Sequence, residues 1–529
     1  MSGGGKTLNT RASGIVAAAV MCSRVLGLVR EMLFAGLFGS KLMGLFIVAY
    51  RIPNLLRDLF AEGALSTAFV TVFSAKIERE GLVAAWRLAA KVFTLAAVFM
   101  TLVSALGIIF SHQIASLLAW NYTPEQIETV TYLTRIMFPF ILLVSLAALA
   151  MGMLNSVGVF GIPAMASSFY NIGSIVGGCL LGWWLDPSFG VRALAGLAVG
   201  SLIGGFLQFA VQVPRLWREG FRFLPDFRWR DSGVRTVLVL MLPSVIAAGA
   251  VQINVMINTG FASFLGPQAV SWLNFSFRLM QLPLGVFGVA VATITLPVLA
   301  RIAASADLTT FGTTVSRALR LIIFFTLPAA LGLYLLAEPI ISLIYQRGVF
   351  LAEDSHKTAL ALQCYAVGLI FYSGIKVISP AFYTINRKWI PMCVSFAVIG
   401  CNILLNWFFI FRWGFDHRGL ALATSLSALL NFSVLYFLLH RVAGRLEDRA
   451  IVWTLLRCGA AAAVMGLVCW LGTGLLGEYL AVEKFIGMRI CVLMGLIALG
   501  AGVYIALCFF FRVEEVREAG ALLKRKFSR

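Results

Sequence analysis

"MCSRVLGLVREMLF", residues 21–34, places Arg24 and Arg30 in a stretch that is otherwise mostly apolar. The apolar run around it extends from residue 15 to 38. A run of more than twenty apolar residues reads as a membrane-crossing helix. A cation near the centre of such a helix costs roughly 2.5–3.5 kcal/mol on insertion scales. Accepting that cost twice in one span implies a use for positive charge within the membrane.

The pattern continues along the chain. Of 529 residues, 60% are hydrophobic and 12% charged, about half the ~25% charged fraction of a soluble domain. Fourteen spans are predicted, at 15–38, 43–75, 82–111, 126–154, 161–184, 190–214, 234–262, 268–301, 311–336, 356–385, 388–411, 416–441, 451–474 and 483–511. The fold class is therefore an all-α integral membrane protein. The first run is too long for a signal-peptide core and lacks a small-residue cleavage site, so it reads as an uncleaved span. Pro53, Gly63, Pro283 and Gly285 are expected to bend the long second and eighth spans.

Loop charge sets the orientation. One set of loops and tails carries 27 Lys and Arg, including six arginines between 215 and 235, whereas the opposite set carries eight. Cation-rich loops stay in the cytoplasm, so both termini are expected inside. Topology thus accounts for most of the net charge of +19 and argues against a nucleic-acid partner.

The halves of the chain also repeat. "LFG" at 37–39 returns as "FLG" at 264–266, "IPAMASSF" at 162 as "IPMCVSF" at 390, and "ALAGLAVGSLIGGF" at 193–206 as "GLALATSLSALLNF" at 419–432. The offsets are 227, 228 and 226. Six spans per repeat leave both halves in the same orientation, related by an axis along the membrane normal, as in many transporters. The expected organisation is a six-helix lobe over 1–214, an interlobe loop over 215–233 and a second lobe over 234–441. Two further helices over 442–511 and a basic tail over 512–529 complete it.

Seven cations remain inside the spans: Arg24, Arg30, Arg51, Arg57, Arg135, Arg278 and Lys376. If spans 1 and 2 form a hairpin turning near Ser40 and Lys41, equal depth means residue numbers summing to about 81. Arg24 is then level with Arg57, and Arg30 with Arg51, about 21 Å and about 12 Å from the turn. The repeat offset carries Arg51 onto Arg278. Glu31, Asp58 and Glu62 are too few acids to neutralise this set, and a guanidinium fork suits phosphate oxygens. Arg24, Arg30, Arg57 and Arg278 are the expected anion ligands. Arg51, Asp58, Glu62 and Lys376 are secondary or gating candidates, while Arg135 reads as an anchor that snorkels to the interface.

Other features read blandly. The nine cysteines lie in apolar segments without a CxxC pair and are expected as buried small hydrophobes. "VGGCLLGWW" is a helix-packing surface rather than a phosphate loop, since no GKT or GKS follows. The tail from Glu514 suits a cytoplasmic helix or an anionic-lipid contact. No carboxylate pair, nucleophile triad or metal box stands out, so neither a cofactor nor a catalytic residue is expected.

"SRVLGLVRE" and "RIPNLLRDLFAEGALSTAFV" on the first two spans resemble the signature of the lipid II flippase family, MurJ. "SWLNFSFRLMQLPLGVFGVAVATITLP" on span 8, "IYQRGVF" at 344–350 and "KVISPAFYTINRKWIP" at 376–391 also resemble family segments. The resemblance covers nearly the whole chain. It implies a flippase of the multidrug/oligosaccharidyl-lipid/polysaccharide superfamily, moving an undecaprenyl-pyrophosphate-linked peptidoglycan precursor between leaflets of the bacterial inner membrane. It further implies a cationic cavity that includes Arg24, Arg30, Arg57 and Arg278, and a lipid-tail groove on the last two helices. The implied partners are lipid II or a related polyprenyl-pyrophosphate glycan, membrane lipids and cell-wall synthesis proteins.

Gly44, Phe277, Gln281 and Thr71 depart from the family pattern, the first three at places where relatives commonly carry acids, and they leave the coupling ion and gating contacts open. The alternatives are a flippase for another polyprenyl-linked oligosaccharide, a drug or cation exporter, and a lipid-phosphate glycosyltransferase. An exporter of cations calls for deep carboxylates, and a glycosyltransferase for catalytic acids in an extramembrane loop or domain.

Overall fold

The computed structural model describes residues 10–59, 65–305, 307–444 and 446–516, and among these all regular structure is helical. Among the described residues twelve helices are long and apolar enough to cross a membrane, with Ser232–Pro243 as a shorter apolar stretch. Fourteen spans were expected. The candidate run Ala18–Leu59 takes in the first expected span and part of the second, because the helical chain passes through a sharp break without an intervening loop.

That break is Gly39 in α1 (Thr10–Leu56), where φ is 68° and ψ is 177°. Glycine tolerates this conformation because it has no Cβ to clash. In a straight helix Arg30 and Tyr50 would lie about 30 Å apart, yet both reach Tyr170 of α7 (Gly161–Leu185). The chain therefore reverses at Gly39, as the hairpin reading requires.

Left-handed backbone recurs within about three residues of the repeat offset: Gly39 with Gly266, Gly158 with Asn386, Phe189 with Gly414, and Gly220 with Gly444. The bends recur too. π-helical winding begins at residue 57, four residues after Pro53, and again over Leu284–Gly288, directly after Pro283. Proline removes a backbone donor and crowds the carbonyl a turn earlier, which wider winding relieves. Gly63 and Glu62 lie outside the described residues.

The chain divides into two compact units, Met1–Val270 and Ser271–Arg529. The first holds α1, α2 (Ser66–Glu80), α3 (Leu82–Ile109), α4 (Ser111–Leu118), α5 (Pro124–Met137), α6 (Phe140–Ser156) and α7. It continues with α8 (Ala193–Ala210), α9 (Val213–Arg218) and α10 (Ser232–Phe264). The repeat assigns α10 to the second lobe, but it packs on α2, α3 and α4. Its N-cap Asp231 accepts from Gly233 N and pairs with Lys91 of α3 at 2.6 Å. α7 and α8 cross closely: a Cβ on Gly196 or Gly200 would lie 2.3 Å from the backbone nitrogen of Gly182 or Gly178. The glycine-rich motif is thus a packing surface, as small-residue faces in membranes usually are.

The second unit holds most of α11 (Pro267–Pro283), then α12 (Val289–Ala304), α13 (Leu308–Leu335), α14 (Ala337–Tyr345) and α15 (Ala352–Thr384). It ends with α16 (Trp389–Trp407), α17 (His417–Ala443), α18 (Asp448–Leu480) and α19 (Ile486–Phe510). α15 packs between α13 and α17, and α18 joins α13 to α19. The cysteines divide: Cys458, Cys469 and Cys508 are buried, whereas Cys22, Cys393 and Cys491 are exposed. The expectation of uniform burial fails because apolar positions on a spanning helix need only avoid water, and many face outward.

Candidate functional site

Tyr170 on α7 organises the arginines of the first unit. The Arg30 guanidinium carbon sits 5.2 Å from the centre of its ring, within cation–π range. The Tyr170 hydroxyl lies 3.2 Å from that of Tyr50. Phe140 flanks both tyrosines, with ring centres 5.5 and 5.7 Å away. Glu31 is buried, and its carboxylate lies 3.8 Å from Arg30. The charges of Arg30 and Arg57 are close enough to repel one another.

Arg57 is already engaged. Its Nη2 and Nε donate to Asp58 Oδ1 at 2.9 and 3.2 Å. Asp58 Oδ2 accepts from Gln252 Nε2 of α10 at 3.4 Å, so the carboxylate links the end of the first hairpin to α10. Arg51 is half-buried on the same arm of that hairpin.

Arg24 differs from its neighbours. It is exposed, and among the described residues it has no hydrogen-bond or ion-pair partner. Its stretch of α1 is held by Asn171, whose Nδ2 donates to the Ser23 carbonyl at 3.0 Å. Gly27 presents its open face to the same Asn171 side chain, with room for no more than ordinary contact. The first unit therefore holds Arg30 over Tyr170, pairs Arg57 with Asp58, and keeps Arg24 on the same helix as Arg30.

Gly44 packs against Pro267 so closely that an added Cβ would lie 1.9 Å from the Pro267 carbonyl oxygen. This packing leaves no room for a side chain at position 44.

In the second unit, Arg278 is exposed on α11, between Phe277 and the buried Leu279. Phe277 meets Tyr365 of α15 edge to face at 5.2 Å. Lys376 is exposed on α15, one turn from Ser373, which lies against Gly288 of the π-helical turn. Arg135, the expected anchor, donates to Ser111 Oγ at 2.8 Å.

Sequence reasoning missed Tyr50, Tyr170, Asn171 and Gln252. Tyr50 directly precedes Arg51 in the quoted span-2 motif, which was its one available signal. The others lie more than a hundred residues from their partners.

Long apolar helices broken at matching points in two halves, with cations kept inside the spans, define a polytopic membrane transporter. The chain belongs to the MurJ family: the family profile described as "Lipid II flippase MurJ" matches residues 34–489. The family comprises transporters, not enzymes. A "Probable lipid II flippase MurJ" of Vibrio cholerae is 35% identical over 519 residues, covering 96% of this chain and 97% of that one. The "Lipid II flippase MurJ" of Burkholderia cenocepacia is 34% identical over 469 residues, with 87% and 89% covered.

Among solved structures, "Lipid II flippase MurJ, inward closed conformation" superimposes with a TM-score of 0.75 at 26% identity, covering 94% of this chain and 98% of that one. An inward-facing multidrug-resistance MATE transporter of the MOP superfamily gives 0.67 at 14% identity, with 81% and 97% covered, a likeness of fold.

Proposed function

We propose that this protein moves lipid II from the inner to the outer leaflet of the bacterial inner membrane by alternating access. Arg24, Arg30, Arg57 and Arg278 would bind its pyrophosphate. The observation that carries this reading is Arg30 held over the Tyr170 ring, with Arg24 on the same helix exposed and, among the described residues, without a hydrogen-bond or ion-pair partner. An exposed guanidinium in the middle of a span is too costly to face acyl chains, so it fits a wet cavity that admits an anionic headgroup. Arginine forks pair bidentately with phosphate oxygens, and two phosphates engage several such forks at once.

In this reading Asp58 occupies Arg57 until the headgroup arrives, and Arg51, Glu62 and Lys376 line or gate the route. Both termini lie in the cytoplasm, following the cation bias of the loops. The repeat supplies two six-helix lobes that alternate about the site, and α18 and α19 take the polyprenyl tail. Cell-wall synthesis proteins are the expected partners.

The test is translocation of labelled lipid II in proteoliposomes by wild type, Arg24→Ala and Arg57→Ala, with insertion checked for each. Wild-type transport lost in both variants supports the reading. Transport that survives both substitutions removes the proposed site. No wild-type transport, with a membrane potential also tried, redirects the assignment to another lipid-linked glycan.

A further inference from the structure

The second compact unit holds a pair of arginines that are not among the candidate cavity residues. Arg347, in the loop after α14, donates from Nη2 to the Leu343 carbonyl at 2.7 Å. Arg489, in the first turn of α19, donates from Nη2 to Ser342 Oγ at 2.6 Å and from Nε to the Leu480 carbonyl at 3.2 Å. The two side chains are thus anchored on adjacent residues of α14, and their charges are close enough to repel.

Arg489 is only 5% exposed, and Arg347 Nε is buried without a hydrogen bond. Among the described residues, neither guanidinium has a carboxylate partner. Burial also disfavours the charged form of Arg347. Leu343 and Leu480 lie at helix C-termini, and the partial negative charge there offsets part of this cost. A full counter-charge is still missing, and like charges buried without one are strongly unfavourable.

The surrounding segments indicate where that counter-charge comes from. Val349 and Leu351 follow Arg347, Val482 and Phe485 precede Arg489, and all four are exposed. Apolar side chains beside a cation pair at the ends of spans suit a molecule with acyl chains and an anionic head. We propose that Arg347 and Arg489 form a binding site for the phosphate group of a membrane lipid, its acyl chains lying on these apolar residues. The lipid would act as a wedge between the α14–α15 corner and the α18–α19 hairpin.

The test uses the full-length protein in detergent, titrated with phosphatidylglycerol and, separately, with diacylglycerol and inorganic phosphate. Binding is read by native mass spectrometry, and folding is checked by thermal melting. Arg347→Gln should weaken phosphatidylglycerol binding about tenfold, as expected for one lost charge-assisted contact. Arg347→Lys should recover part of it, and neither diacylglycerol nor phosphate should compete at matched concentration.

Unchanged phosphatidylglycerol affinity in a folded Arg347→Gln protein would overturn the site. Equal competition by inorganic phosphate would overturn its assignment to a lipid. If Arg489→Gln fails to fold, Arg347→Gln decides alone. The same titration on Arg24→Gln measures any contribution of the cavity separately.

Discussion

The Arg30 guanidinium lies over the face of Tyr170, and the hydroxyl of that same tyrosine meets Tyr50 from the other arm of the α1 hairpin. One ring on α7 therefore fixes both the position of a half-buried cation and the level at which the two arms align. A cation–π contact away from water contributes about 2 kcal/mol, enough to set the rotamer of a long, flexible side chain.

Replacing that ring tests its role. Tyr170→Leu should lower lipid II translocation by about tenfold or more, because Arg30 loses the surface that positions it. Tyr170→Phe keeps the aromatic face and loses only the contact with Tyr50, so it should retain most activity. Equal losses in both variants would assign the effect to the hydroxyl instead. Initial rates in proteoliposomes with matched insertion measure this.

Asp58 should act as an internal competitor for the headgroup. Asp58→Asn removes the charge that engages Arg57 while preserving size and a bond to Gln252. Binding of inorganic pyrophosphate, followed by calorimetry, should tighten about fivefold, the scale of one partly exposed ion pair. Weaker binding would show that Asp58 orients Arg57 rather than competing for it.

The α7–α8 crossing should be intolerant of any side chain. A Cβ on Gly200 would collide with backbone atoms of Gly177 and Gly178, and two backbones cannot yield as a flexible side chain can. Gly200→Ala should destabilise the protein by about 1–3 kcal/mol, the range for overpacked cores, and lower its melting temperature. Gly459→Ala meets nothing within 4 Å and should be neutral or slightly stabilising, since alanine favours helix. Thermal melts of both in one detergent make the comparison.

The segment between α9 and α10 gives the protein an acid-sensitive element. Hydrogen bonds from Arg228 hold the Asp226 carboxyl at about 2, below its ordinary 3.8. Lys91 likewise lowers Asp231. A carboxyl depressed by folding stabilises the protein above its ordinary pKa, and the contribution disappears as pH falls through the folded value. For Asp226 the loss spans about 3.8 down to about 2. Asp226→Asn should flatten that part of the melting-temperature profile. An unaltered profile would show that this pair does not contribute to stability.

Much of the scaffold was legible in the chain, because membrane insertion writes its requirements locally. Apolar run length marks the spans, loop cations suggest their direction, and glycine or proline marks where a helix must turn or widen. Gly39 and Gly266 carry the repeat in their backbone angles as clearly as in their letters. The hairpin arithmetic needed only the rise of a helix and one turn, so it placed Arg30 level with the residue next to Tyr50.

Tertiary structure decided how the surroundings of each arginine are held. Arg57 is engaged by the adjacent Asp58, whereas among the described residues Arg24 has no hydrogen-bond or ion-pair partner. Gln252 holds Asp58 across 194 residues, and Asn171 holds the Ser23 carbonyl beside Arg24 across 148. A polar side chain in a span records that it needs a partner, but not which one. That choice depends on which helix faces pack together, and local pattern carries no term for it.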